Sequence, residues 1–160
     1  MLLGGYPLSI IKIEKNYYWH ALNVKLVDNN CICNSNRIIL GSKKPVLVTI
    51  PFPLVPGVAG IPIRVTSITV DTSCLQGPEI KLDFVISIAI PAGVTIANLT
   101  FQVYKLSNNM YQKKSVGPQW TYKKSFVSEG TDIFTFAVYD NDTFESDCCT
   151  YILEATPYNS

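Results

Sequence analysis

The residues with the greatest capacity for chemistry are the five cysteines, Cys31, Cys33, Cys74, Cys148 and Cys149. Because their number is odd, at least one thiol cannot pair within the chain, and in an oxidising setting it is a candidate for a bond to a second chain. The alternative is that all five are reduced and that Cys74 is a small core residue. The sequence therefore predicts either cross-linking between subunits or a reduced chain.

A four-thiolate zinc site is the second chemistry open to these cysteines. Zinc knuckles usually leave at least two residues between ligands, whereas Cys31 and Cys33 are separated by one residue and Cys148 and Cys149 by none. Consecutive residues of a strand point to opposite faces, so Cys148 and Cys149 would not converge on one ion. A disulfide between the two pairs, in one chain or between neighbours, fits better than a metal.

The remaining polar residues give little support for a catalytic site. His20 is the one histidine, and it lies in an aromatic cluster without cysteines or carboxylates beside it. Asp140, Asn141 and Asp142 could bind calcium, but their spacing does not match the helix-loop-helix calcium loop, and Asp and Asn are also common in turns. We predict no catalytic residue, no metal and no cofactor.

Composition excludes several classes of partner. The 160 residues are 48% hydrophobic and 16% charged, with a formal net charge of +1. This charge provides no field for nucleic acid and no polybasic membrane anchor. A surface poor in charge is weakly protected against association, which favours burial in an assembly. Residues 1–15 lack the basic region of a secretory signal and are too often interrupted by Gly and Pro for a membrane span.

Strand periodicity dominates the rest of the chain. Residues 80–90 alternate apolar and other side chains with a period of two, and similar runs recur between Gly- and Pro-rich turns. The turn at 76–78 predicts that strands 63–71 and 80–90 form one hairpin. The slip in apolar parity between Val65 and Ile68 predicts a bulge. Eight or nine such strands predict an all-β, jelly-roll-like antiparallel β-sandwich.

The beginning of the chain predicts an extended arm. Residues 1–16 form the predicted N-terminal arm or connector, and residues 17–160 the predicted jelly-roll domain. The arm contains no turn that would fold it into a hairpin, so it would pair with its own sheet or with a neighbour's. Its apolar residues are the predicted assembly residues: Leu8, Ile10, Ile11 and Ile13.

Four sequence blocks resemble a family of small uncharacterised proteins from spore-forming clostridia. They occur in the order Val70–Phe84 (VDTSCLQGPEIKLDF), Phe101–Asn109 (FQVYKLSNN), Val116–Tyr122 (VGPQWTY) and Phe134–Glu154 (FTFAVYDND…DCCTYILE). The resemblance implies a jelly-roll-like, cysteine-rich domain of the spore surface without enzymatic activity. The plan is similar to that of bacterial endospore appendage subunits, in which N-terminal arms reach neighbouring subunits and disulfides lock the joints.

The resulting hypothesis is a structural subunit that assembles head-to-tail into a helical filament outside the cell or on the spore surface. The arm would add a strand to the next subunit, and Cys31 or Cys33 would bond to Cys148 or Cys149 of an adjacent one, with Cys74 buried or free. The alternative is a ligand- or carbohydrate-binding jelly roll. Its stacking platform would consist of five aromatic residues: Tyr17, Tyr18, Trp19, Trp120 and Tyr122.

Overall fold

The structure is a computed structural model that describes residues 10–22, 39–43, 47–71, 79–93, 96–107, 112–141 and 148–159. These residues form nine β-strands. The strands are β1 (Ile10–Leu22), β2 (Ile39–Lys43), β3 (Val48–Pro51), β4 (Ile63–Asp71), β5 (Glu79–Ile90), β6 (Ile96–Ser107), β7 (Lys114–Ser125), β8 (Gly130–Asp140) and β9 (Cys148–Pro157).

Alternating apolar residues form the interior, as their parity predicts. Every second residue of β5 from Ile80 to Ile90 is buried, and the same holds in β6 for Leu99, Phe101 and Val103. In β9 the buried residues are Cys149, Tyr151, Leu153, Ala155 and Pro157. A β-strand alternates its side chains between two faces, so each of these strands has one face towards a common core.

Two antiparallel sheets enclose this core. Sheet A has the strand order β2-β1-β5-β8, with β3 paired to β1 beside β2, and sheet B has the order β4-β9-β6-β7. Aromatic side chains stack between the sheets: Phe101 of β6 lies 5.6 Å from Phe134 of β8, and Trp120 of β7 lies 5.3 Å from Phe136 of β8, between ring centroids. The predicted all-β class is confirmed, and the two sheets pack face to face as a sandwich.

The predicted hairpin of β4 and β5 is wrong. β4 pairs with β9 in sheet B, whereas β5 pairs with β1 and β8 in sheet A. The connection 72–78 therefore crosses from one sheet to the other. The predicted bulge is confirmed near the start of its range, because the register of β4 against β9 shifts between Arg64 and Thr66.

The strand ends define two chemically different ends of the sandwich. We call one the cysteine end; its strand termini are Leu22, Ile39, Asp71, Glu79, Ser107, Lys114, Asp140 and Cys148. We call the other the apolar end; its strand termini are Ile10, Pro51, Ile63, Ile90, Ile96, Ser125, Gly130 and Pro157. The register supports this grouping, because Leu22 pairs with Glu79 and Ile10 pairs with Pro51.

Candidate functional site

The first strand of the chain occupies a central position in sheet A. On one side β1 pairs with β5 from Lys12–Ala89 to Leu22–Glu79. On its other side it pairs with β3 and then with β2. A strand between two neighbours satisfies backbone groups on both of its edges. Removing β1 would therefore leave β5 without a partner on one edge, and β2 and β3 without any partner in the sheet.

The predicted arm residues lie mostly within this strand. Ile10, Ile11 and Ile13 pair with Pro51, Ile50 and Val48 of β3, respectively. Leu8 lies outside the described residues. β1 runs without a break through the predicted boundary between residues 16 and 17, so the element that could be exchanged as a unit is the whole strand.

The topology brings the cysteine-bearing parts of the chain to one end. The connection with Cys31 and Cys33 leaves β1 at Leu22 and enters β2 at Ile39, and the connection with Cys74 runs from β4 to β5 at the same end. These three cysteines are outside the described residues. β9 begins at this end with Cys148, opposite Asp71.

Cys149 lies inside the sandwich. Its side chain is fully buried, and its Sγ is 3.8 Å from Oγ of Ser107 on β6. A bond from Cys149 to another subunit would require the start of β9 to separate from β6. The intersubunit disulfides remain a prediction, and the burial of Cys149 argues against this cysteine as one of the bonded pair.

A buried ion pair joins the sheets beside the cysteine end. Nζ of Lys105 on β6 lies 2.8 Å from Oδ2 of Asp140 on β8, and the side chains are only 7% and 3% exposed. The hydroxyl of Tyr151 on β9 donates a hydrogen bond of 2.6 Å to the same carboxylate oxygen. Charge-assisted hydrogen bonds are stronger than neutral ones, so three strands from two sheets are fixed at this point.

The cluster of Lys105, Asp140 and Tyr151 was not predicted from the sequence, although the alternation of side chains along β6 and β8 indicates it. Lys105 shares the inward parity of Leu99, Phe101 and Val103, and Asp140 shares that of Phe136 and Val138. A charged residue that continues an inward-facing series near a strand end is a candidate for a buried pair. Lys105 and Asp140 are two such residues of opposite charge, and together they predict an ion pair.

The proposed aromatic platform for ligand binding is not formed by Trp120 and Tyr122. Tyr122 is buried, and Trp120 stacks on Phe136 in the interior. Tyr17, Tyr18 and Trp19 lie in β1, on the opposite sheet. Residues that pack between the sheets are not available to stack on a sugar ring, so Trp120 and Tyr122 do not support a stacking platform, and ligand binding stays a prediction.

Tyr122 instead belongs to a polar contact between β7 and β8. Its hydroxyl donates to Oδ2 of Asp132 at 3.0 Å, and Nζ of Lys124 lies 2.8 Å from the same oxygen. Burial, with a smaller contribution from Asp132, raises the pKa of Tyr122 well above its usual value. The hydrogen bond from Lys124, followed by that from Tyr122, lowers the pKa of Asp132.

The sheet edges differ in how they are protected against further strands. β7 has Pro118, Lys123 and Lys124, and β4 has its bulge, which are known ways of blocking strand addition. β8 pairs with β5 over eleven residues without a register shift, and it contains no Lys, Arg or Pro. Its outward Ile133 is 67% exposed. β8 is therefore an edge without Lys or Pro, and its charged residues, Asp132 and Asp140, are paired with Lys124 and Lys105.

The described part of the chain contains no group of three or more His, Cys, Asp and Glu side chains that could hold a metal ion. Asp142, one of the residues considered as calcium ligands, lies outside the described residues, and Asp140 is engaged by Lys105 and Tyr151. His20 lies in β1 opposite Lys81. Across the described ranges, none of the secondary structure is a helix with the length and apolarity that crossing a membrane requires.

Comparison with known proteins places the chain in a family without a described activity. A search of the curated proteins and a search of the solved structures each found no match. A family model matches residues 30–160, which include β2 to β9 and all five cysteines but not β1. The match covers most of the chain, and the protein therefore belongs to the family described as a domain of unknown function, DUF4489.

Proposed function

We propose that this protein is a structural subunit that assembles head-to-tail into a filament outside the cell or on the spore surface. The sandwich is the rigid body of the subunit, and β1 is the element that joins one copy to the next. The role is structural, without catalysis. The resemblance to clostridial spore-surface proteins is the basis for the location.

The observation that carries the proposal is the central position of β1. It is the first strand in the sequence, yet it fills the slot between β5 on one side and β2 and β3 on the other. The sixteen residues from 23 to 38 separate it from β2. When extended, sixteen residues reach about 50 Å, which exceeds the length of β1 itself. A neighbour's β1 would fill the same slot with the same register, as in strand exchange between protomers.

The order of the strands supports a jelly roll in which β1 fills the position between β5 and β3. From β3 onward the chain alternates between the sheets, except for the β6-β7 hairpin, which lies within sheet B. Eight-stranded jelly rolls follow a plan of two Greek keys in two sheets. We propose that β1 takes a position in sheet A that a strand after β9 would otherwise occupy.

The distribution of cysteines limits where disulfides could lock such a filament. Residues 1–22 contain no cysteine, and neither do the segments at the apolar end. A contact between the apolar end of one subunit and the cysteine end of the next would therefore have thiols on one side only. Disulfides between subunits would instead join copies that lie side by side, with Cys148 and either Cys31 or Cys33 as the candidates.

Negative-stain electron microscopy of three chains tests the proposal. The full chain and a chain without residues 1–9 keep β1 whole, whereas a chain without residues 1–15 loses the part of β1 that pairs with β3. We expect filaments from the first two and none from the third. Adding reductant to the filaments then tests the lateral disulfides, whose loss would loosen the filaments without removing the strand-exchange contact.

A discrete particle of the same small size from all three chains would refute the filament and would favour a binding domain. If the chain without residues 1–15 is insoluble, a synthetic peptide of residues 8–22 provides a second readout. Rescue of a soluble fold by the peptide is expected if β1 can be supplied by a separate chain. A peptide with Pro in place of Lys15 is the matched control, because Pro removes a ladder donor.

A further inference from the structure

The connection between β3 and β4 presents apolar side chains to solvent. This connection, residues 52–62, is the apolar loop. The exposed fraction is 75% for Leu54 and 83% for Ile61, and Val55 and Val58 are exposed as well. The sequence from Pro45 to Ile63 contains no charged residue. Exposed apolar side chains gathered in a short segment usually indicate a contact surface.

Hydrogen bonds to the end of β9 fix the shape of this loop. The Gly57 amide donates to the Asn159 carbonyl at 2.6 Å, and the Gly60 amide donates to the Pro157 carbonyl at 2.7 Å. The Asn159 amide donates to Val58, and its side-chain nitrogen donates to the Pro53 carbonyl. A Cβ at Gly60 would lie 2.7 Å from Cγ of Pro157, so the loop and β9 are in close contact. The apolar side chains are therefore held outward by a fixed backbone.

The register of β1 brings a second uncharged segment to the same place. Ile10 pairs with Pro51, the residue immediately before the apolar loop. The sequence before Lys12 contains no charged side chain, and residues 1–9 include Leu2, Leu3 and Leu8. Nine residues span up to about 30 Å when extended, which is enough to cross the loop. The segment that precedes β1 thus starts beside an apolar surface of matching character.

We propose that the apolar loop is the docking site for residues 1–9 of the chain that supplies β1. Burying Leu54 and Ile61 against Leu2, Leu3 or Leu8 would remove apolar surface from water on both sides. The inference does not depend on strand exchange, because β1 begins opposite Pro51, next to the loop, whether it comes from the same chain or from a second copy.

Photo-crosslinking of the full chain tests the docking site. Tyr6 is replaced by p-benzoylphenylalanine, the sample is irradiated, and the attachment points are located by peptide mass spectrometry. We expect the crosslinks to fall within residues 53–61. The double variant Leu54→Ser, Ile61→Ser should lower their yield by about tenfold. Val127→Ser is the matched control, because Val127 is fully exposed at the same end but in the β7–β8 turn.

Crosslinks at other surfaces, or a yield that the double variant leaves unchanged, would overturn the proposal. A mixture of ¹⁵N-labelled and unlabelled chains identifies the source of the segment. Crosslinks between labelled and unlabelled chains are expected where β1 is exchanged, and crosslinks within one chain where it is not. Both patterns support docking on the loop, and only the second counts against the filament.

Discussion

At the level of single residues, a buried polar contact between the two sheets joins Lys105, Asp140 and Tyr151. Two opposite charges are removed from water, and they are compensated by each other and by the tyrosine hydroxyl. Such a pair costs desolvation energy, so its net stabilisation is small, but removing one partner leaves the other charge buried. The pair therefore favours this arrangement of β6, β8 and β9 over others.

Lys105→Met should lower the free energy of unfolding by about 3 kcal/mol or more, because it leaves the Asp140 carboxylate without its cation. Urea denaturation followed by circular dichroism measures this loss. The double variant Lys105→Met, Asp140→Leu is the matched control and should recover much of the stability. Equal losses in the single and double variants would contradict a role for charge compensation.

Asp132 should contribute to the acid sensitivity of the fold. Its pKa in the folded state is lowered by Lys124 and Tyr122. Stabilisation from this group is therefore present above the unfolded-state pKa, about 4, and is lost as the pH falls through the lower folded-state pKa. Asp132→Asn should flatten the decline in stability as the pH falls below about 4. Denaturant midpoints across this range measure the slope, with Glu129→Gln as the control; parallel slopes in wild type and Asp132→Asn would disprove the assignment.

At the level of elements, the sequence predicts where the strands lie and which of their residues face the core. It does not predict which strands pair with each other. The alternation in β5, β6 and β9 predicts their buried residues correctly because a half-buried strand has a period of two. The same alternation in β4 and β5 fits a hairpin in one sheet as well as a crossing between sheets. The choice is made by β9, which pairs with β4 from about 80 residues further on. The central position of β1 was missed for the same reason, because its partners lie up to 77 positions later.

The block VGPQWTY is explained by a local irregularity between β6 and β7. The register shifts between Phe101 and Val103, and the Gln102 side chain donates to the carbonyl of Val116 at 3.3 Å. Gly117 has a positive φ of 68°, and a Cβ there would lie 3.0 Å from Cγ1 of Val138. This position therefore combines a backbone that favours Gly with close packing.

Gly117→Ala should lower the free energy of unfolding by about 2 kcal/mol, through both the left-handed backbone and the contact with Val138. Gly93→Ala is the control, because Gly93 also has a positive φ but has open space around it, and it should lose only about 1 kcal/mol. Thermal or urea unfolding of both variants measures the difference. Losses of the same size would mean that the Val138 contact costs nothing.

The edge of β8 lacks the lysines and the proline of β7, and we expect it to take part in side-by-side association. Thr135→Lys places a charge at the middle of this edge, where Thr135 pairs with Val85 on its inner side, and should weaken association at high concentration. Thr121→Lys on β7 is the matched control, since that strand already has lysines. Sedimentation velocity over a concentration series measures the effect. An equal response to both substitutions would show that β8 has no special role.

At the scale of the whole molecule, the two ends have different chemistry. All five cysteines lie in segments that start or finish at the cysteine end, and the uncharged apolar loop lies at the other. The sequence alone did not reveal this polarity, because residues 31, 74 and 148 are far apart in the chain and only the paired register brings the neighbouring strand ends together. The filament proposal depends on this polarity, since a subunit with unlike ends stacks in one direction.

The central position of β1 also has a consequence for synthesis on the ribosome. β1 is made first, but its partner residue for Leu22 is 57 positions later in the chain, and β8, which completes sheet A, is later still. β2 and β3 follow β1 closely, but at about 5 to 20 residues per second the nascent chain would carry the β5 side of β1 unpaired for several seconds. Adjacent chains on one messenger RNA would then expose incompletely paired first strands at the same time. Assembly between copies can thus compete with folding before either chain is released.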